Sequence, residues 1–346
     1  MNEKILMLGW GYPPNIEGGL DIHVKHLFEE LRKENVDVDL ALPAENTPNK
    51  ENMISLETEN GDMMWKARQM SSQVASIAEE YDIIHTHDWF GAEAGYKAQK
   101  HSNCKWASTI HSLASGRSRK SGGEIIELEE IAVKEPDKVI AVSEKLAEET
   151  KEEHGKKPKV IHNGFSTPKT SGRNINEELG IKENMVFFVG RHAEQKGIEH
   201  LIYGFKKFLE NNDATLVIGG DGEMTEPLKK FSEVLEIQGN VVFTGFIPSK
   251  ELGDYYKAAD LFASPSINEP FGLTITEALE SGTPVLATEN GVSEVIGEEH
   301  IINANPNSDS LAEGIKKGLE MENGFEVEER SWKDMTEETL ELYEDL

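Results

Sequence analysis

Short apolar runs alternate with longer amphipathic segments along most of the chain. The runs end at glycine or polar residues, as expected of strands buried in a parallel sheet. After the first run, apolar residues recur at helical spacing; they are Ile22, Val24, Leu27, Phe28 and Leu31. The predicted strands are 4–9, 36–42, 81–89, 105–111, 138–143 and 159–161, then 185–190, 215–218, 240–245, 261–263 and 284–287. Segment 44–62 is polar and is predicted to be a loop.

The alternation of strand and helix occurs twice, with the polar segment 166–176 between the two sets. Repeated strand–helix units are typical of parallel sheets covered by helices. We therefore predict an α/β fold of two Rossmann-like, doubly wound domains that face each other across a cleft. The first domain covers residues 1–165, the linker covers 166–176, and the second domain covers 177–325.

The most informative stretch is the junction that leads from Ser264 to Leu279. Two prolines keep its loop out of helical conformation, and Gly272 allows a ligand to approach the backbone closely. A helical pattern begins at Leu273, so free amides and the positive end of a helix dipole lie at its start. Phosphate or sugar oxygens suit such a position, and two carboxylates, Glu269 and Glu277, flank it.

Two further strand-to-helix loops of the second half carry candidate chemistry. Arg191 and Lys196 follow strand 185–190, and two cations at this spacing suit a diphosphate. Gly220 lies in a glycine-rich loop after strand 215–218, where the backbone is expected to approach a nucleotide.

In the first half, Gly18 and Gly19 follow the first strand without the G-x-G-x-x-G spacing of a dinucleotide site. They close on a diphosphate or a sugar, or they form a plain turn. Asp88 and His111 end two other strands, where open α/β sheets bind ligands. A lone histidine is more often structural than catalytic.

No metal site is predicted. The His-x-His-Asp run at 85–88 begins like a metallohydrolase site, but no further ligands follow at a matching spacing. Asp37 and Asp39 share one face of a strand and are interpreted as a solvated edge. The basic loop with Arg117 and Lys120 either clamps an anionic group or is an ordinary surface loop.

The net charge of the chain limits the partners that it can bind. The chain has 64 acidic and 35 basic residues and a net charge of −29, so a nucleic-acid partner is not expected. With a single cysteine, the chain has no internal disulfide. The first residues lack a signal-peptide pattern and no apolar run is long enough to span a bilayer. We expect a cytoplasmic protein without stable membrane insertion; the sequence does not indicate the oligomeric state.

Together these motifs resemble the retaining glycosyltransferases of the two-Rossmann (GT-B) architecture, of the family-4 and glycogen or starch synthase type. The resemblance covers nearly the whole chain in order. Its pieces are Tyr12-Pro13-Pro14, Gly18-Gly19-Leu20, His85-Thr86-His87-Asp88-Trp89, Thr109-Ile110-His111, Asn163-Gly164, Val189-Gly190-Arg191, Lys196-Gly197, Gly220-Asp221-Gly222, Glu269-Pro270-Phe271-Gly272 and Glu277.

The resemblance implies roles for these residues. Arg191 and Lys196 would bind the donor diphosphate and stabilise it as the leaving group. Glu277 would hold the ribose hydroxyls, and Glu269 would hold the sugar. The amides of Phe271, Gly272 and Leu273 would hold sugar hydroxyls and phosphate. His111 would contact the donor sugar near the reacting carbon, Gly18 and Gly19 would close over the donor, and Asp88 would orient donor or acceptor. The last helix, within 326–346, would pack back towards the first domain.

The implied reaction is metal-independent and needs no cofactor. It moves a hexose, expected to be glucose, from a nucleotide sugar such as UDP-glucose or ADP-glucose to a carbohydrate acceptor. An α-glucan is the first expectation, since Trp10-Gly11-Tyr12-Pro13-Pro14 and His87-Asp88-Trp89 resemble the glucan synthases. Asn15-Ile16-Glu17 departs from the lysine usual in that branch. The alternatives are a lipid-linked, glycoprotein or small-molecule acceptor, and an inactive protein that only binds nucleotide sugars.

The acidic composition gives a first testable prediction. The carboxylates are spread along the chain, and their mutual repulsion is screened in concentrated salt, which suggests a halophilic host. We expect the melting temperature, followed by circular dichroism, to rise between dilute buffer and molar KCl. An unchanged or lower melting temperature in KCl would contradict the prediction.

Overall fold

The computed structural model describes residues 3–16, 18–117, 122–328 and 330–346. The chain divides into two compact units. Unit 1 comprises Met1–Gly164 together with Arg330–Leu346, and unit 2 comprises Phe165–Glu329. Among the described residues, no helix combines the length and apolar character needed to cross a membrane.

Unit 1 is built on a seven-stranded parallel sheet in the order β3-β2-β1-β4-β5-β6-β7. Its strands are β1 (Ile5–Leu8), β2 (Val38–Pro43), β3 (Met53–Leu56), β4 (Ile83–His87), β5 (Lys105–Ile110), β6 (Lys138–Ala141) and β7 (Lys159–Val160). Its first helices are α1 (Gly19–Lys33), α2 (Met63–Ile77), α3 (Ala92–His101), α4 (Ala114–Arg117), α5 (Gly123–Lys134) and α6 (Glu144–His154). The central strands are fully buried because helices cover the sheet, as their continuous apolar runs predict.

Unit 2 is built on a six-stranded parallel sheet in the order β10-β9-β8-β11-β12-β13. Its strands are β8 (Asn184–Val189), β9 (Ala214–Gly219), β10 (Val241–Gly245), β11 (Leu261–Ser264), β12 (Val285–Ala287) and β13 (Ile301–Asn303). Its helices are α7 (Ile175–Leu179), α8 (Ile198–Phe208), α9 (Thr225–Val234), α10 (Leu252–Ala258), α11 (Leu273–Glu280), α12 (Ser293–Ile296) and α13 (Ser308–Gly318). The prediction of two doubly wound α/β sheets is therefore confirmed.

The last helix, α14 (Trp332–Glu344), belongs to unit 1 and packs on α1. The Trp332 ring stacks on His26, with centroids 4.3 Å apart. The helix begins at Trp332, within the predicted range, because Ser331 and Asp334 form a reciprocal capping box there. Gly164 permits this packing, since an added Cβ would lie 2.4 Å from the Trp332 backbone.

Two strands were not predicted from the sequence, β3 and β13, and each lies at an edge of its sheet. Segment 44–62, predicted to be a loop, contains β3, which pairs with β2 at the edge of the sheet. An edge strand this short buries few side chains, so its sequence carries little apolar signal. The polar segment 166–176, predicted to be a linker, packs on unit 2: the Asp254 carboxylate accepts hydrogen bonds from the amides of Ser171 and Gly172 at 2.8 and 3.1 Å.

Candidate functional site

The strand order of unit 2 places its candidate residues. From β8 the chain moves outward through β9 to β10, then returns to β11 on the other side of β8. Loops at the carboxyl ends of β8 and β11 therefore run in opposite directions and leave a crevice, the position where open α/β sheets bind ligands. The two loops touch: the Ile267 amide donates to the Gln195 carbonyl at 2.8 Å. Gly197 has φ +60°, and an added Cβ would lie 2.2 Å from the Pro265 carbonyl oxygen.

Lys196 and Glu269 meet at this crevice. The Lys196 Nζ lies 2.8 Å from Glu269 Oε2, and the hydroxyl of Ser266 donates to the same oxygen at 2.9 Å. Glu269 is largely buried, with 11% of its side chain exposed, whereas 24% of the Lys196 side chain is exposed. The pair therefore holds the ammonium group at the crevice and fixes the carboxylate through two donors.

The start of α11 lies directly after this loop. Gly272 occupies the N-cap with φ +108°, a conformation that strains any other residue, and no side chain caps the helix. The first amides of α11, beginning with Leu273, have no intrahelical acceptor. Phe271 is buried beside them. The junction thus has the form predicted from its prolines and glycine, with amides placed for an anion.

Glu277 lies one turn further along α11 and is partly buried. The hydroxyl of Tyr256, a fully buried residue of α10, donates to Glu277 Oε2 at 2.8 Å. Burial raises the pKa of Glu277 to about 7, and the hydrogen bond from Tyr256 opposes part of that rise. The sequence did not indicate Tyr256, because its spacing from Glu277 becomes meaningful only when α10 packs on α11.

The two remaining candidates of unit 2 have different surroundings. Arg191 is exposed, and its carbonyl accepts from the Ala193 amide at 3.0 Å, whereas its guanidinium group makes no hydrogen bond or ion pair with any residue that the structure describes. Gly220 has φ +105°, and an added Cβ would lie 2.0 Å from the Gly190 carbonyl oxygen. Packing between two loops therefore already requires glycine at 220. His192, which was not predicted, is fully buried and holds the same region through Thr225, with Nδ1 2.8 Å from Oγ1.

In unit 1 the equivalent crevice lies between β1 and β4, where the strand order reverses. Gly18 and Gly19 stand at the start of α1 and are exposed. An added Cβ at Gly18 would meet nothing within 4 Å, so neither packing nor backbone conformation requires glycine there. Nearby, Asp21 fixes the loop after β1 by accepting from the Gly11 amide at 2.8 Å.

Asp88 and His111 are brought together at the ends of β4 and β5. Asp88 Oδ1 accepts from the His111 amide at 2.7 Å, and Asp88 itself is nearly buried with φ +51°. The carboxylate that we expected to orient a substrate thus fixes the main chain carrying His111. His87 also contacts His111, with Nδ1 3.1 Å from Nε2. In the predicted basic loop, α4 ends at Arg117, and residues 118–121, with Arg119 and Lys120, lie outside the described residues.

Comparison with known proteins decides the family. Residues 17–168 match the family described as Glycosyltransferase Family 4, and residues 173–339 match Glycosyl transferases group 1. An uncharacterized glycosyltransferase of Methanocaldococcus jannaschii is 33% identical, over 98% of this chain and 97% of that protein. The chain belongs to the group 1 glycosyltransferases of the GT-B type.

Two further similarities extend over the whole glycosyltransferase. An alpha-maltose-1-phosphate synthase of Mycolicibacterium smegmatis is 27% identical, over 98% of each protein. The structure of a sucrose-phosphate synthase from Thermosynechococcus elongatus has a TM-score of 0.81 at 22% identity and covers 99% of each chain. At that identity the structural match supports the fold alone.

The pKa of Glu277 gives a prediction about stability. In the folded protein the pKa of Glu277, about 7, lies above that of an ordinary glutamate. The protonated carboxyl group therefore adds to the free energy of unfolding of the wild-type protein at acid pH, and this contribution is lost as the pH rises towards 7. The glutamine of Glu277→Gln does not titrate. The free energy of unfolding of this variant, minus that of wild type, should therefore rise between pH 5 and pH 8, by roughly 2 kcal/mol for this partly exposed group. Thermal melts of both proteins across this range measure the difference.

The matched control is Glu298→Gln, which replaces an exposed carboxylate in the same unit of the glycosyltransferase. It should follow wild type at every pH. A stability difference between Glu277→Gln and wild type that stays constant from pH 5 to pH 8 would contradict the raised pKa.

Proposed function

We propose that this glycosyltransferase moves a glucosyl group from a nucleoside diphosphate sugar to a carbohydrate acceptor, with retention of the anomeric configuration and without a metal ion. The observation that carries the proposal is the crevice of unit 2, where the Lys196–Glu269 pair lies beside the uncapped start of α11. This arrangement offers positive charge and amide donors to a diphosphate and a fixed carboxylate to sugar hydroxyls.

The donor sugar bond breaks between the anomeric carbon and a diphosphate oxygen. Negative charge then grows on the diphosphate while the anomeric carbon becomes electron-deficient. Arg191, Lys196 and the first amides of α11 would stabilise the leaving diphosphate, since preorganised donors act most strongly where charge develops. Glu277 would accept hydrogen bonds from the ribose hydroxyls, and the Tyr256 hydroxyl keeps its carboxylate in place.

The acceptor hydroxyl forms the new bond to the anomeric carbon, and its proton passes to an oxygen of the departing diphosphate. Attack on the face that the diphosphate leaves gives retention. His111 in unit 1 would bind a hydroxyl of the reacting sugar, and Asp88 holds the His111 main chain in place. Gly18 and Gly19 would let the start of α1 approach the diphosphate, which is consistent with the open space around Gly18.

Two acceptor classes are in competition. An α-glucan fits the resemblance of the sequence to glucan synthases. A sugar phosphate is favoured by the similarity to an alpha-maltose-1-phosphate synthase, a protein named for a phosphorylated sugar. Of the two, we place the α-glucan first and the sugar phosphate second.

A donor and acceptor screen tests the proposal. The protein is incubated in molar KCl with UDP-glucose, ADP-glucose or GDP-mannose, with an oligoglucan, with glucose 1-phosphate, or with no acceptor. Nucleotide release that depends on the oligoglucan supports the first acceptor class, and release that depends on glucose 1-phosphate supports the second. Activity should persist in EDTA, and NMR of the product should show the α-anomer. Nucleotide binding without turnover on any pair would indicate an inactive binding protein.

Two substitutions test the site. Lys196→Ala and Glu277→Ala should each lower turnover at least ~100-fold, the scale of losing one preorganised electrostatic contact. The control is Lys230→Ala, which removes an exposed cation of the same unit, and its turnover should remain near that of wild type. Near-normal rates in both site variants would exclude this crevice as the donor site.

A further inference from the structure

Three histidines from separate elements converge at the carboxyl edge of the unit 1 sheet. His23 comes from α1, His87 ends β4, and His111 follows β5. One ring nitrogen of each lies within 4.8 Å of one ring nitrogen of each of the others. We call this group the three-histidine cluster. The sequence could not show it, because His23 lies far from the other two along the chain.

Two nitrogens of the three-histidine cluster are buried without a hydrogen-bond partner among the described residues: His23 Nε2 and His87 Nε2. Their side chains are almost fully enclosed, at 3% and 0% exposure. A buried polar group without a hydrogen-bond partner destabilises the fold. His85, directly adjacent, shows the alternative: its nitrogens lie 2.5 Å from the Tyr343 hydroxyl and 2.8 Å from the Thr109 hydroxyl.

The tautomer of His23 is set by Asn163. His23 Nδ1 lies 2.7 Å from Asn163 Oδ1, and since a carboxamide oxygen can only accept, Nδ1 carries the proton. The lone pair is therefore on Nε2, the unpartnered nitrogen. A histidine whose other nitrogen donates to an oxygen is the usual arrangement around a protein-bound metal ion.

One nitrogen of His87 and one of His111 have a spacing that suits two ligands of the same metal ion. His87 Nδ1 and His111 Nε2 are 3.1 Å apart, close to the roughly 3.3 Å between two ligands on a tetrahedral Zn²⁺ with bonds of about 2.0–2.1 Å. Asp88 holds the His111 main chain at 2.7 Å. All three ligand nitrogens lie within 4.8 Å of one another, and rotation of the imidazole rings about their side-chain bonds allows them to move closer around one ion.

The chemistry of the donor set also suits a metal ion. Three imidazoles with an open fourth position are a donor set typical of Zn²⁺.

We propose that His23, His87 and His111 form a binding site for one Zn²⁺-like divalent transition-metal ion. The ion takes one nitrogen from each ring and leaves a further position for water. His111 also belongs to the sugar site proposed above, so, if that function holds, the bound ion withdraws His111 from the sugar and inhibits transfer. The ion is an inhibitor in this scheme, so transfer is still expected to persist in EDTA.

Calorimetry tests the site directly. The full chain, without a histidine tag and freed of metal by EDTA, is titrated with ZnCl₂ in the absence of any sugar or nucleotide. We expect one equivalent to bind to wild type and no stoichiometric binding to His23→Gln. Asn163→Leu should weaken binding roughly 10–100-fold, the usual effect of losing the oxygen partner of a metal-bound histidine.

The matched control is His154→Gln in the same unit. His154 belongs to another group with metal-ligand atoms, Glu129 and Glu153, but its Nε2 is already 2.9 Å from Glu129 Oε1. This variant should bind Zn²⁺ as wild type does. Absence of stoichiometric binding to wild type, equal binding to His23→Gln, or loss of binding only in His154→Gln would each overturn the proposal.

A thermal-shift measurement guards against misfolded variants. A ligand that binds only the folded state raises the melting temperature, so ZnCl₂ should raise it in wild type and His154→Gln but not in His23→Gln. The metal-free melting temperature of each variant shows whether it folds. Because neither measurement uses a donor or acceptor, failure of the metal site leaves the proposed transfer reaction untouched, and failure of transfer leaves the metal site untouched.

Discussion

Both units depend on the constraint that parallel strands place all their carboxyl ends on one edge of a sheet. When strand order reverses, the loops at that edge separate and leave a crevice. In unit 2 the reversal lies between β8 and β11, and the loops that follow are tied by the Ile267–Gln195 backbone hydrogen bond and by the Lys196–Glu269 ion pair. Lys196 and Glu269, more than seventy positions apart along the chain, therefore lie next to each other in the crevice.

Electrostatics inside this crevice differs from that of the protein surface. The chain carries a net charge of −29, yet the uncapped start of α11 and Lys196 give the crevice local positive character. A surface ion pair contributes little to stability, whereas the largely buried Glu269 fixes the direction of its lysine. Burial also raises the pKa of Glu277 to about 7, so this carboxyl group takes up a proton near neutral pH.

In unit 1, histidine side chains lie at the carboxyl edge of the sheet. Its four histidines at this edge include one, His85, whose two nitrogens are satisfied by hydroxyl groups. His23 and His87 each leave one buried nitrogen without a partner among the described residues. Such groups are costly in an apolar interior, and the ion proposed above would give the Nε2 of His23 a partner. The hydrogen bond between His85 and Tyr343 also joins the last helix to the centre of the unit 1 sheet.

Local sequence determined the elements and most of the candidate residues of unit 2. Apolar runs fixed the buried strands, and the prolines and Gly272 fixed the junction before α11, because these signals act over a few residues. Local sequence failed at β3 and β13, which lie at the edges of the two sheets and bury little. Tertiary structure alone decided which distant groups meet: Lys196 with Glu269, Tyr256 with Glu277, and His23 with His87 and His111. It also placed the Asp88 carboxylate on the His111 amide. Such pairings depend on strand order and helix packing, which no spacing along the chain encodes.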